Sequence, residues 1–93
     1  MKRRDEIVDV FCGISDPAEM DRFLREILTE AERHDLGLRW KLMRMIEGGM
    51  SQRDVAAKLG ISLCKITRGS RVLKRRGSVC RTLIDKMGNE APA

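Results

Sequence analysis

The sequence is poor in the residues that build a large core unaided. It has no Tyr, two Phe and a single Trp among 93 residues. A chain of that length folding alone buries only about 60–65% of its surface, so with few rings its core is marginal. Six Met can fill gaps as flexible apolar side chains, and a partner chain, most simply a second copy, is the expected source of further burial. Histidine is nearly absent: His34 stands alone, and the three cysteines Cys12, Cys64 and Cys80 have no paired spacing. No Cys/His zinc set can be assembled from them, no metal is expected, and the thiols read as reduced. Long apolar runs are missing as well. The opening MKRRDEIVDVFCG has a basic flank, but Asp9 breaks its apolar run, which argues against a signal peptide. Nothing approaches the about 18 apolar residues of a membrane span, so the expectation is a cytoplasmic protein without a membrane partner. No carboxylate pair, nucleophile–base set or phosphate loop stands at useful spacing, so neither an enzyme nor a cofactor is expected.

What the sequence does have is charge, unevenly placed. The net charge is +5 and the pI about 9.6. Residues 1–47 carry nine Lys/Arg against eleven Asp/Glu, a net −2, whereas residues 48–93 carry ten against three, a net +7. A basic half joined to an acidic half points to a surface that meets a polyanion.

Start and stop signals divide the chain into six helices and no strands. Residues 4–12 place Ile7, Val10 and Phe11 at helical spacing before Gly13. In DPAEMDRFLREIL, Asp16 is an N-cap, Pro17 suits the first helical position and Glu19 completes a capping box. Met20, Phe23, Leu24, Ile27 and Leu28 then form one apolar stripe. Thr29 and Glu32 repeat the capping device for a helix over 30–47, striped by Leu38, Leu42, Met45 and Ile46 and stopped by Gly48-Gly49. Ser51 and Asp54 cap a helix over 52–58. Ser62 caps another running to Lys74, and after Gly77-Ser78 the residues Val79, Leu83, Ile84 and Met87 mark a last one. The tail, 88–93, should fray.

The stretch QRDVAAKLGISLCKITRGS, from Gln52, fits a helix-turn-helix. Val55 and Leu59 face the second helix, Ala56 is small where the helices nearly touch, and Gly60 tolerates positive φ at the turn. Ile61 and Ile66 close the small core between them. The start of the second helix enters the major groove in such a motif, presenting Ser62, Leu63, Cys64 and Lys65. Arg53 can reach a phosphate or a guanine edge. Lys58, Thr67, Arg71, Lys74, Arg75 and Arg76 are phosphate candidates, and Gln52 and Ala56 complete the expected DNA-binding set. Binding should weaken steeply with salt. Gly69 is the odd residue, since glycine within a helix costs about 1 kcal/mol against alanine. It follows Arg68, whose guanidinium can lie over an aromatic ring while pairing with a carboxylate. A bare backbone at Gly69 would let such a ring approach the helix.

MSQRDVAAKLG followed by ITRGSRVLK, with ILTEAERHDLGLR upstream, resembles the bacterial tryptophan repressor family. The resemblance extends more weakly from about residue 5 to 87. It implies an all-α, six-helix intertwined homodimer acting as a tryptophan-responsive repressor on palindromic double-stranded operator DNA, with L-tryptophan as corepressor. The whole chain, 1–93, would be one such domain, with its helix-turn-helix at 52–74 and its dimer core at 1–47 and 78–87. It further implies that Arg39 and Arg68 sandwich the indole and that Arg68 and Thr29 meet the carboxylate. Backbone carbonyls of Glu26 and Leu28 from the other subunit would receive the ammonium, with Gly69 beside the indole and Met43 lining the pocket. Val72 stands where the family has a serine hydroxyl near that ammonium, and Arg71 where it commonly has Asn. The run from Arg39 to Met50 is one residue shorter than usual, a helical rotation of about 100° that would aim Arg39 away from Arg68. Two rival expectations are a ligand-independent or differently liganded DNA-binding dimer and a DNA-tethering module of a recombinase or replication initiator. The capped helices near both ends disfavour the latter.

Overall fold

A computed structural model describes residues 4–88. Six α-helices follow in chain order: α1 Glu6–Gly13, α2 Pro17–Ile27, α3 Glu30–Glu47, α4 Gln52–Leu59, α5 Leu63–Lys74 and α6 Val79–Lys86. No strand occurs among the described residues. The chain divides into two compact units, Met1–His34 and Asp35–Ala93. Of the expected frayed tail, 89–93 lies outside the described residues.

In the first unit the capping signals act as the sequence predicts. Asp16 accepts the Glu19 N–H at 3.2 Å, ahead of Pro17. Thr29 and Glu32 exchange bonds at the start of α3: the Thr29 N–H donates to Glu32 Oε1 at 2.8 Å, and the Glu32 N–H donates to Thr29 Oγ1 at 3.1 Å. The Thr29 backbone N–H, and after it the hydroxyl, hold the Glu32 carboxyl below its usual pKa. The apolar stripes of this unit do not become a core. Neither α1 nor α2 has a buried residue, and Ile7, Val8, Val10 and Phe11 are 39–42% exposed. Phe11 and Phe23 meet edge to face, with ring centroids 5.4 Å apart.

The second unit holds the core. Leu42 and Met45 of α3, Val55 of α4 and Ile66 of α5 form one buried cluster, flanked by Met43, Ile46, Met50, Ala56, Leu59 and Ile61. Ser51 accepts the Asp54 N–H at 3.1 Å to open α4. Gly60 ends that helix at φ 65, in the left-handed region glycine adopts without strain. Ser62 occupies the N-cap of α5 but differs from expectation: its hydroxyl makes no capping bond and stays exposed, so solvent meets the free N–H groups of the first turn. Ser78 caps α6 by accepting the Arg81 N–H at 3.2 Å. Helix α5 packs against both α4 and α6. Of the apolar residues that mark α6, only Ile84 is buried, while Val79, Leu83 and Met87 remain exposed. No helix among the described residues is long and apolar enough to cross a membrane.

Candidate ligand cavity and nucleic-acid interface

Two helix faces in the second unit enclose a cavity of about 310 Å³. Helix α3 contributes Asp35, Leu38, Arg39, Leu42 and Met43, at the i, i+3, i+4, i+7, i+8 spacing of one helical face. Helix α5 contributes Lys65, Arg68, Gly69 and Val72 at the same period, Ile61 closes one side from the turn, and Cys80 comes from α6. Arg39 and Arg68 therefore line one cavity. The expected rotation of Arg39 out of that face does not occur, and the chain leaves α3 through Gly49 at φ 104.

Gly69 has a different local reason from the one the sequence suggested. A Cβ there would collide with Leu42 Cδ1 and lie 3.3 Å from Met43 Cγ. The space its missing side chain leaves is taken by α3, so the glycine is required by the close approach of two helices. Its backbone still borders the cavity.

The chemistry of the wall is uneven. Apolar Leu38, Leu42, Met43, Ile61 and Val72 suit a flat hydrophobic body. Arg39, Lys65 and Arg68 supply three cations against one carboxylate, Asp35. No hydroxyl or amide side chain is among the lining residues, Val72 having none to offer. Asp35, Leu38, Leu42, Ile61, Lys65 and Cys80 were not expected in the cavity from the sequence. The first two share the 3.6-residue period of Arg39, which could have found them; Cys80 had no signal, because its place depends on how α6 folds back on α5.

The other expected ligand residues lie in the first unit. Glu26 is exposed. The Leu28 carbonyl accepts a bond from Arg33 Nη1 at 3.1 Å, and the Thr29 hydroxyl is engaged in its cap.

The residues expected at DNA fall into two groups. Arg53, Ser62, Leu63, Cys64, Lys65, Arg71 and Lys74 are exposed, with Lys58, Arg75 and Arg76, and Leu63 is half in solvent despite its apolar side chain. Ala56 instead packs against the core cluster. Thr67 is half-buried and donates its hydroxyl to Gln52 Oε1 at 3.3 Å, tying the second helix of the pair to the start of the first. Cys12, Cys64 and Cys80 are all free thiols, and the described residues hold no His/Cys/Asp/Glu group fit for a metal.

Comparison with known proteins gives a consistent picture. The family model described as Trp repressor protein matches residues 2–87. A Trp operon repressor homolog of Chlamydia trachomatis serovar D is 34% identical over 80 residues, covering 80% of this chain and 85% of the relative. One from Xylella fastidiosa strain M23 is 37% identical over 65 residues, covering 69% and 71%. One from Vibrio vulnificus strain YJ016 is 29% identical over 83 residues, covering 88% and 81%. No solved structure gives a significant match.

Proposed function

This chain belongs to the Trp repressor family of DNA-binding regulators, and we propose that it acts as a homodimer on a palindromic operator, with L-tryptophan as corepressor. The observation that carries the reading is the place of α5. One face of this helix, with Arg68, Gly69 and Val72, forms a cavity wall, while its first turn presents Leu63, Cys64 and Lys65 to solvent. An occupant of the cavity pushes on the same rigid element that would enter the major groove of a helix-turn-helix complex. Arg39 and Arg68 clamp a flat ring between guanidinium planes, and Arg68 pairs with its carboxylate. The uncovered apolar surface of α1 and α2 supports dimerisation, because monomeric proteins rarely leave such a face in water.

A ligand-independent dimer on the same scaffold is the second reading, favoured by Leu42, which seals the space beside Gly69. Titrating operator DNA with and without millimolar L-tryptophan, at two salt concentrations, separates the two. The corepressor reading expects tighter operator binding with the amino acid and a steep loss with salt in both series. Identical operator affinity with and without tryptophan leaves the second reading standing.

A further inference from the structure

Residues 55–84 include eight Lys or Arg and no Asp or Glu. Six of the eight cations have a local place. Lys65 and Arg68 line the cavity, and Arg81 pairs with Glu47 at 3.6 Å. Lys58, Arg71 and Lys74 stand in the last turns of α4 and α5, where cations offset the negative end of the helix dipole. Arg75 and Arg76 have no such place. Arg75 closes α5 with its backbone already extended, at φ −63 and ψ 138, and Arg76 follows in the turn. Both are exposed, and among the described residues neither makes an ion pair, whereas the exposed Arg4 and Arg25 each meet an aspartate. The backbone beneath them is nonetheless held. The Ser78 N–H donates to the Arg75 carbonyl at 3.1 Å, and Leu73 and Ile84 are buried on either side of the turn. We propose that Arg75 and Arg76 grip phosphates of duplex DNA beyond the bases addressed by the start of α5, a sequence-independent contact that rests on the groove docking proposed above.

The length of α5 separates this contact from base reading. Arg75 lies 12 positions after Leu63, about 18 Å along a helix axis, while the major groove is about 8.5 Å deep. With Leu63 at the base edges, the two arginines stand at or outside the phosphate rim, whether α5 enters end-on or leans along the groove. What a duplex offers there is backbone charge, about one phosphate per 1.7 Å of axis. The guanidinium fork matches a phosphate and stays charged at any working pH. A contact confined to the backbone positions the protein and carries no sequence information directly, so it strengthens binding to operator and non-operator DNA alike.

Anisotropy titrations of the full chain, Arg75→Ala/Arg76→Ala and Arg75→Lys/Arg76→Lys test this at one fixed L-tryptophan concentration. Two probes are used: a duplex selected by the parent chain from a random pool, and a scrambled duplex of the same length and composition. Losing two phosphate contacts should lower the slope of log affinity against log salt by about 1.8 for each chain engaged. Between about 50 and 200 mM salt the parent should then lose about 12-fold more affinity per chain than the alanine variant, on both probes. The preference for the selected duplex should not move, and the lysine variant, which keeps both charges, should keep the parent's slope. Thermal melting checks that the exposed substitutions leave the fold intact. An unchanged slope in the alanine variant, a loss confined to the selected duplex, or an equal loss in the lysine variant overturns the assignment of Arg75 and Arg76 while leaving the groove docking in place. Failure of the parent chain to bind any duplex overturns both.

Discussion

Replacing Gly69 with Ala isolates the closest approach of α3 and α5. The added methyl would overlap Leu42 Cδ1, and Leu42 is 2% exposed, held among Met45, Val55 and Ile66. Its methyl has little room to withdraw. Overpacking of this kind costs about 1–3 kcal/mol, while alanine improves helix propensity by about 1 kcal/mol over glycine. The difference leaves Gly69→Ala destabilised by about 1 kcal/mol. The sign reverses once the obstacle is removed. Leu42→Ala alone should cost about 2–5 kcal/mol through the cavity it leaves. In that background the added methyl meets only Met43 Cγ, 3.3 Å away on a flexible side chain, and Gly69→Ala gains its helix propensity, about 1 kcal/mol. Urea unfolding of the four chains, at one fixed protein concentration, should give a coupling of about 2 kcal/mol, well above the scatter of independent sites. If Gly69→Ala stabilises both backgrounds equally, helix packing does not demand the glycine, and a bare backbone facing a ligand becomes its better explanation.

Three further substitutions probe the interface, the clamp and the pH response. Lys65→Ala should weaken operator binding and reduce the slope of log affinity against log salt by about 1 in a gel-shift or anisotropy series; unchanged affinity removes Lys65 from the DNA contact. Arg68→Ala should lose the response to L-tryptophan while keeping weak non-specific DNA binding, and equal loss of both would make Arg68 a residue of the fold. Glu47 is pushed above its usual value of 4.5 by a hydrogen bond with Asp85, then by burial and the charge of Asp85, against the pull of Arg81 at 3.6 Å. A carboxyl raised on folding stabilises the folded state fully below its unfolded pKa and loses that contribution as pH rises through the folded value. Glu47→Gln should therefore flatten urea midpoints across that window and raise them near neutrality. A pH profile matching the parent's shows that the Glu47–Asp85 contact does not govern stability.

The helices are legible in the sequence because each is punctuated locally. Asp16, Thr29, Ser51 and Gly60 act within three or four residues of their partners, and such signals need no knowledge of the rest of the fold. Ser62 escapes that logic because the same pattern permits either a capping hydroxyl or a solvated one, and only the local rotamer separates them. The stripes of α1 and α2 are visible too, but periodicity says that a face is apolar and not what covers it. At the cavity, Arg39, Met43, Arg68, Gly69 and Val72 are reached through resemblance, and their common face follows from helical spacing. Gly69 shows the limit of that route. Its position can be anticipated, yet the reason for it depends on Leu42, 27 positions away in sequence, and such a crossing leaves no local signature.

Lys65 joins the two halves of the functional reading in one side chain. It sits in the first turn of α5, exposed where a groove-facing residue belongs, and it also lines the cavity. A lysine ammonium on a flexible stem can serve a phosphate or a ligand carboxylate, but it holds one position at a time. Arg68 lies three residues further along the same helix and faces the same cavity. Under the proposed corepressor reading, an arginine paired with the ligand carboxylate would leave Lys65 to the phosphates, and without that arginine the ligand would draw the lysine inward. The ligand response and the DNA affinity would then be linked through competition between two cations for one anion, in addition to any movement of α5. That link gives the double variant Lys65→Ala/Arg68→Ala a definite signature: measured without L-tryptophan, its operator affinity should match Lys65→Ala alone, and adding L-tryptophan should leave it unchanged, because neither cation remains to contest the ligand carboxylate.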